Sequence, residues 1–214
     1  MGDVSVELDM QKTDPNFLRI YAVLPRTLAL GPFLRFAVWV QGCNRECPWC
    51  MTPDARPCDQ GTVADTGSLA RQIIADSCIK GMTISGGEPF LQPGALSRLI
   101  DSVRRERDMG VIVYTGFMLE ELRLSKDQNI RGLLDRTDLL IDGPYIRELD
   151  DGLSLRGSSN QNICLMTGRY AKVAGKYYGQ SRRKVELHLL KNEIFLAGIP
   201  GPEMLEKWKE KQLV

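Results

Sequence analysis

The sequence contains no apolar run close to the roughly 20 residues that a helix needs to cross a bilayer. Residues 1–9 also lack the basic start and the apolar segment of a secretory signal. No internal repeat or low-complexity segment is visible. These absences predict a cytoplasmic protein that is neither secreted nor inserted in a membrane.

The sequence has almost no net charge. Its 28 basic and 27 acidic residues leave a net charge of +1, so composition predicts no nucleic-acid or membrane partner. The chain has 214 residues, of which 43% are hydrophobic and 26% charged, as is usual for a soluble globular domain with a core. Six cysteines without a secretory signal indicate reduced thiols or metal ligands rather than disulfides.

Short apolar segments alternate with segments of helical spacing between residues 34 and 141. This alternation predicts an α/β fold with a parallel sheet. Strands are expected at 34–40, 82–84, 111–114 and 138–141, an edge strand at 17–24, a loop at 52–64, helices from about residues 65 and 93, and short helices at 118–122 and 129–134. In such sheets the ligand sites lie beyond the C-terminal ends of the strands.

The C-terminal part has a different pattern. Alternating apolar residues on either side of Lys191-Asn192 predict a β-hairpin, and Gly201-Pro202 predicts the start of a short helix that buries Leu205 and Trp208. His188 lies on the opposite parity from the apolar residues of its strand, so its side chain is expected to face solvent.

Three cysteines stand close together directly after the first buried strand, in the pattern Cys43-x3-Cys47-x2-Cys50. Three thiolates can hold three irons of a four-iron cluster, whereas a cluster that only transfers electrons normally has four cysteine ligands. The missing fourth ligand predicts an iron that is open to another molecule.

Each of the other three expected strands also ends in small or polar residues. These motifs are Ser85-Gly-Gly-Glu-Pro89, Thr115-Gly116 and Asp142-Gly-Pro144. If the sheet is parallel, they lie on one rim together with the cysteines.

The cysteine spacing, with an aromatic residue before Cys50, and the run Gly86-Gly87-Glu88-Pro89 resemble the radical S-adenosylmethionine (SAM) superfamily. Within it, the chain is most similar to the glycyl-radical-enzyme activases, in particular the activating proteins of anaerobic ribonucleotide reductase. Further marks are Gly31-Pro32-x-x-Arg35, Tyr114-Thr-Gly116, Leu140-Ile-Asp-Gly143 and Arg156-Gly-Ser-Ser-Asn-Gln161.

The resemblance implies an open, partial parallel βα barrel and a radical SAM oxidoreductase with a [4Fe-4S] cluster. The cluster would be held by Cys43, Cys47 and Cys50. SAM would chelate the open iron through its amine and carboxylate and be cleaved reductively to a 5′-deoxyadenosyl radical. The chemistry would be carried by cluster and SAM, with no protein acid, base or nucleophile.

The resemblance also implies a set of residues around SAM. Trp49 and Met51 would lie by the adenine, and Thr115 and Asp142 by the ribose or a nearby cation. Arg156 would pair with the SAM carboxylate or with an acid inside the protein. Gly86 and Gly87 would let the chain approach the methionine end closely because they lack a Cβ, and Glu88 would fix that turn.

The implied partners are a glycyl-radical enzyme, of the anaerobic ribonucleotide reductase or pyruvate formate-lyase type, and an electron donor such as flavodoxin or ferredoxin. The chain is expected to be one radical SAM domain over residues 1–214, with its core at about 30–162. The hairpin and helix at 165–214 form an extension that a minimal activase lacks, which leaves the target open.

Two other functions fit the same residues. A standalone radical SAM enzyme could modify a small molecule or a short peptide. Alternatively, the three cysteines could belong to a non-enzymatic cluster- or zinc-binding module, although Cys58, Cys78, Cys164 and His188 supply no second ligand pair of the usual spacing. Asp142-Gly-Pro144 could equally be a turn set by backbone geometry.

Overall fold

The computed structural model describes residues 14–178, 181–190 and 193–212. Within these ranges it contains nine strands and six α-helices. The strands are β1 (Phe17–Thr27), β2 (Arg35–Val40), β3 (Thr62–Asp65), β4 (Gly81–Gly86), β5 (Gly110–Tyr114), β6 (Leu139–Asp142), β7 (Asn162–Leu165), β8 (Val185–Leu190) and β9 (Glu193–Gly198). The helices are α1 (Thr66–Ala75), α2 (Pro93–Glu106), α3 (Leu119–Leu124), α4 (Gln128–Arg136), α5 (Ala171–Tyr177) and α6 (Pro202–Gln212).

Seven strands form one sheet in the order β3-β1-β2-β4-β5-β6-β7. The four central strands, β2, β4, β5 and β6, are parallel, and β1, β3 and β7 are antiparallel to their neighbours. The predicted α/β fold with a parallel sheet is confirmed. The edge assignment of residues 17–24 was wrong, because β3, within the segment expected to be a loop, pairs on the outer side of β1.

The parallel strands bring their C-terminal ends to one edge of the sheet. Val40 at the end of β2 pairs with Gly86 at the end of β4, and Tyr114 of β5 pairs with Ile141 of β6. The segments that follow these strands therefore start side by side, which confirms the expected common rim.

The helices α1, α2 and α4 cover one face of the sheet. Their apolar residues, such as Ile73, Leu96 and Leu133, are fully buried against strand residues such as Val38. The predicted start of α1 is also confirmed, since the Asp65 carboxylate caps the helix by accepting a hydrogen bond from the backbone N–H of Ser68 (2.7 Å). The central strands have both faces buried, which explains their almost continuously apolar sequence.

Residues beyond β7 cover the opposite face. Tyr170, just before α5, is buried against β5 and β6, and Phe195 of β9 packs edge-on against Trp39 of β2, with 5.1 Å between the ring centroids. Ala197 is fully buried in the same cluster. The β8–β9 pair confirms the predicted hairpin, while its turn at Lys191-Asn192 lies outside the described residues. Leu205 and Trp208 of α6 are half-buried.

The prediction that His188 faces solvent was wrong. Its face of the hairpin packs on the sheet, because Phe195 is its cross-strand neighbour and Glu186 accepts hydrogen bonds from Thr27 Oγ1 (2.7 Å) and from the backbone of Leu28 (3.0 Å). The His188 ring is half-buried, with Nε2 3.0 Å from Glu186 Oε2. The apolar face of β8 is instead exposed, as the 76% exposure of Leu189 shows. Among the described helices, none combines the length and hydropathy required of a bilayer span.

Candidate metal centre and cofactor cleft

A cleft opens at the rim where the four parallel strands end. Its lining comes from the cysteine segment after β2, from the Gly-Gly-Glu turn after β4, and from the residues after β5 and β6. All three cysteines of the motif, Cys43, Cys47 and Cys50, line it together. The structure thus collects the predicted cluster ligands and most of the predicted SAM-contacting residues in one place.

The cysteine segment is held by backbone hydrogen bonds to the turn that follows it. The N–H groups of Gly42 and Cys43 donate to the carbonyls of Ala55 (2.8 Å) and Arg56 (2.9 Å). The backbone N–H of Arg45 points at Cys43 Sγ (3.4 Å), a contact of the kind that tunes iron–sulfur sites. Burial raises the pKa of the Cys43 thiol to about 11, and a bound iron would counteract this by stabilising the thiolate.

The three thiols are donors of the kind that iron–sulfur clusters use. All three thiols are half-buried and free of disulfides. A structural zinc site usually has two Cys or His pairs of characteristic spacing, and the remaining cysteines and His188 supply no second pair. Three separate thiolates around one cleft suit a multi-iron cluster, in which each cysteine binds a different iron. The donor set therefore fits a [4Fe-4S] cluster.

Gly86 and Gly87 allow two backbone segments to pack directly on each other. Gly86 has a φ of +110°, and a Cβ there would overlap the backbone of Val40. A Cβ on Gly87 would overlap the carbonyl oxygen of Gly42 and lie 2.7 Å from that of Ala55. Both absent Cβ atoms thus face protein backbone, so the structure gives these glycines a role in positioning the cysteine segment in addition to the expected approach to SAM.

Glu88 joins the ends of β4 and β5 below the cleft. Its side chain is buried and accepts hydrogen bonds from the backbone N–H groups of Phe90 (3.0 Å) and Gly116 (2.9 Å) and from Thr115 Oγ1 (2.9 Å). Burial raises the pKa of this carboxyl, although the three donors and the nearby Arg45 oppose the rise. The predicted role of Glu88 in fixing the turn agrees with these contacts.

Replacing Glu88 with alanine should lower the free energy of unfolding by about 2 kcal/mol, because buried donors lose their acceptor. Glu88→Gln should cost less, since its amide oxygen still accepts. Glu106→Ala, at an exposed position at the end of α2, should change stability by less than about 0.5 kcal/mol. Urea unfolding of the three variants tests this; equal losses for Glu88→Ala and Glu106→Ala would contradict it.

Two further predicted residues, Thr115 and Asp142, make their hydrogen bonds within the protein. Thr115 lines the cleft, and its hydroxyl also accepts from the N–H of Phe117 (3.1 Å). Asp142 is fully buried and accepts from the N–H groups of Leu119 (2.7 Å) and Asn162 (3.2 Å). It is absent from the cleft lining, and these contacts match the alternative of a turn set by backbone geometry.

Of the other predicted residues, only Met51 lines the cleft. Trp49 is 47% exposed and stacks against Arg147, with the guanidinium carbon 4.3 Å from the ring centroid. Arg156 forms an ion pair with Asp151 (2.5 Å), so the structure favours its pairing with an acid inside the protein. The role of Trp49 and Arg156 in binding SAM stays a prediction.

Sequence reasoning missed several residues that line the cleft, among them Gln161 and two arginines. Gln161 donates to the carbonyl of Gly143 (2.8 Å) and accepts from the N–H of Gly157 (2.7 Å). Arg45 and Arg56 also line it. The two arginines could have been noticed as the basic residues within and just after the cysteine motif, and Gln161 as the end of the Arg156-Gly-Ser-Ser-Asn-Gln161 run.

Comparison with known proteins supports the cluster assignment. Residues 29–164 match a family described as a 4Fe-4S single cluster domain. The chain is 35% identical to the anaerobic ribonucleoside-triphosphate reductase-activating protein of Haemophilus influenzae, over 69% of this chain and 96% of that protein. It is 34% identical to the protein of the same name from Vibrio cholerae, over 65% of this chain and 92% of that protein.

A shorter similarity extends to a second kind of activating enzyme. The pyruvate formate-lyase-activating enzyme of Listeria monocytogenes is 34% identical over 35% of this chain and 32% of its own length. Similarity over nearly the whole length of the Haemophilus influenzae and Vibrio cholerae relatives, the matched cluster domain and the three cysteines in one cleft agree with the resemblance seen in the motifs. The chain belongs to the family of anaerobic ribonucleoside-triphosphate reductase-activating proteins.

Proposed function

We propose that this protein is a radical SAM activase that installs a glycyl radical on a partner enzyme of the anaerobic ribonucleotide reductase type. The observation that carries the proposal is the meeting of three cysteines that form no disulfide with the Gly-Gly-Glu turn and the ends of β5 and β6 in one cleft. Its cofactors are a [4Fe-4S] cluster and SAM, in line with the family to which the chain belongs.

The cofactors supply the bond-breaking chemistry. A reduced cluster held by Cys43, Cys47 and Cys50 would supply one electron for the reductive cleavage of SAM, the reaction through which a hydrogen atom would be removed from the target glycine. The protein's own groups orient this reaction. Cys43, Cys47 and Cys50 hold the irons, while Glu88 and Gln161 fix the turns that form the cleft floor and wall.

The architecture around the cleft also supports the proposal. We infer that the sheet curves into the open, partial barrel of radical SAM type and that residues 1–214 form one domain. We further propose a cytoplasmic location and an electron donor such as flavodoxin or ferredoxin. The near-zero net charge gives no reason to expect nucleic acid or a membrane as partners.

A modification of a small molecule or peptide is the second candidate function. A separate groove, lined in part by Trp39, Phe195 and Trp208, opens beside the cleft, and Met51 and Thr52 line both. Phe195 and Trp208 lie beyond residue 164, where the matched family domain ends. This aromatic groove next to the cluster segment favours a substrate that the C-terminal extension helps to select.

The first experiment is anaerobic reconstitution of the protein with iron and sulfide, followed by reduction with dithionite in the presence of SAM. We expect 5′-deoxyadenosine and methionine in equal amounts. Adding an anaerobic ribonucleotide reductase should then produce the EPR doublet of a glycyl radical. Absence of 5′-deoxyadenosine from a fully loaded protein would refute the activase proposal, and cleavage without a glycyl radical would favour the second candidate.

A further inference from the structure

Arg56 is fixed next to the first cysteine of the cluster motif. It follows the short helical turn Pro53–Ala55, and its backbone N–H donates to the carbonyl of Pro53 (3.0 Å). Its own carbonyl accepts from the N–H of Cys43 (2.9 Å). The position of this residue is therefore set by the same hydrogen bonds that shape the cysteine segment.

The side chain of Arg56 lines the cleft, where its Nε is buried and lacks a hydrogen-bond partner. Among the described residues, no carboxylate lies within ion-pair distance of its guanidinium. Buried donors without a partner are rare and cost about 1–3 kcal/mol each. A buried guanidinium nitrogen left in this state beside a cofactor site indicates that a ligand supplies the missing acceptor.

Other arginines near the cleft already have partners. The guanidinium of Arg45 stacks on Phe117, with 4.7 Å to the ring centroid. Arg156 and Arg183 form ion pairs with Asp151 and Asp150, both at 2.5 Å. Within the part of the chain that the structure describes, Arg56 is the cleft arginine with a buried guanidinium nitrogen that lacks a hydrogen-bond partner.

On the basis of the proposed function, we propose that Arg56 binds the carboxylate of the methionyl group of SAM. Guanidinium groups match a planar carboxylate through paired, charge-assisted hydrogen bonds, which is a stronger recognition than a lysine offers. The carboxylate is the anionic group of SAM, and Arg56 lines the same cleft as the three cysteines, with its carbonyl bonded to the N–H of Cys43. Arg56 is therefore a substrate-binding residue that sets the position of SAM.

The test compares two ligands that differ in this group alone. SAM and decarboxylated SAM are each bound to the reconstituted, oxidised protein, which does not cleave them, and their dissociation constants are measured by anaerobic equilibrium dialysis. Arg56→Gln should weaken SAM binding about tenfold or more, the effect of one charge-assisted hydrogen-bonded contact. The same variant should change the affinity for decarboxylated SAM less than about threefold. Arg26→Gln serves as the control, because Arg26 pairs with Asp76 (2.6 Å) away from the cleft lining, and it should leave both constants unchanged.

The outcomes separate this proposal from the activase proposal. If the unmodified protein binds neither ligand, the proposed function fails and this assignment with it. If the unmodified protein binds SAM but Arg56→Gln weakens the binding of both ligands equally, or of neither, the Arg56 assignment alone is overturned. Equal weakening together with a changed iron content would mean that Arg56 supports the cluster instead. Should Arg56→Gln fail to hold iron, Arg56→Lys decides, because it must still weaken SAM selectively, by several-fold.

Discussion

Replacement of Cys47 with alanine should leave a folded protein that binds less iron per chain and cleaves no SAM, and the same is expected for Cys43 and Cys50. The three thiols line one cleft without any fourth cysteine of the motif, so losing one leaves two irons without protein ligands. The folding core should be unaffected, because these thiols are half-buried at the rim and pack outside the buried cluster beneath the helices.

The matched control is a triple variant of the remaining cysteines. Cys58 and Cys78 are exposed and Cys164 is half-buried, and none of them lines the cleft. Cys58→Ser/Cys78→Ser/Cys164→Ala should retain its iron, its visible absorbance and SAM cleavage. Iron analysis and the EPR spectrum of the reduced cluster with and without SAM test both sets. A SAM-responsive spectrum in Cys47→Ala, or iron loss in the triple variant, would contradict the ligand assignment.

The common rim could be predicted from the sequence because short stretches of the chain mark where each strand ends. Each central strand is an apolar run that ends at a small or polar residue, and right-handed connections between such runs require a parallel sheet. The cysteines, the Gly-Gly-Glu turn and Thr115 could therefore be placed together before any contact was known. The structure adds that Glu88 is hydrogen-bonded to Thr115 and to Gly116.

The errors arose where contacts between distant segments decide the outcome. The strand β3 has the exposure pattern of a surface segment, with Val63 54% exposed, and it forms a strand because β1 offers it an edge. The alternation of apolar residues in β8 predicted the wrong buried face of the hairpin. Glu186 and Phe195 contact the seven-stranded sheet, whereas Leu187 and Leu189 are exposed.

Sequence alone also could not show which arginine is available to bind SAM. Arg156 stands in a motif run and Arg56 does not, yet Asp151 occupies the guanidinium of Arg156 while the Nε of Arg56 is left without an acceptor. Spacing along the chain carries no information about which cation an acid elsewhere neutralises. Only the contacts of the folded chain separate an arginine that stabilises a loop from one that is available to a ligand.

Replacement of Gly87 with valine should remove the cluster site and destabilise the fold. The new Cβ would overlap the carbonyl oxygen of Gly42 and lie 2.7 Å from that of Ala55, and neither backbone can yield as a flexible side chain would. Gly87 and Glu88 also donate to the carbonyls of Val40 and Gly42 (both 2.8 Å), so relief of the clash must move the cysteine segment. We expect a loss of about 3 kcal/mol in the free energy of unfolding and less iron per chain.

The control for Gly87 is a glycine with open space around it. A Cβ at Gly168 meets no atom within 4 Å, so Gly168→Val should keep its iron and most of its stability. Urea unfolding and iron analysis of both variants are to be combined with SAM binding by equilibrium dialysis. If Gly87→Val kept full iron and stability and lost only SAM affinity, the missing Cβ would face the ligand, and the packing account would be wrong. Loss of iron together with stability would instead show that the glycine turn acts on SAM through the position of Cys43.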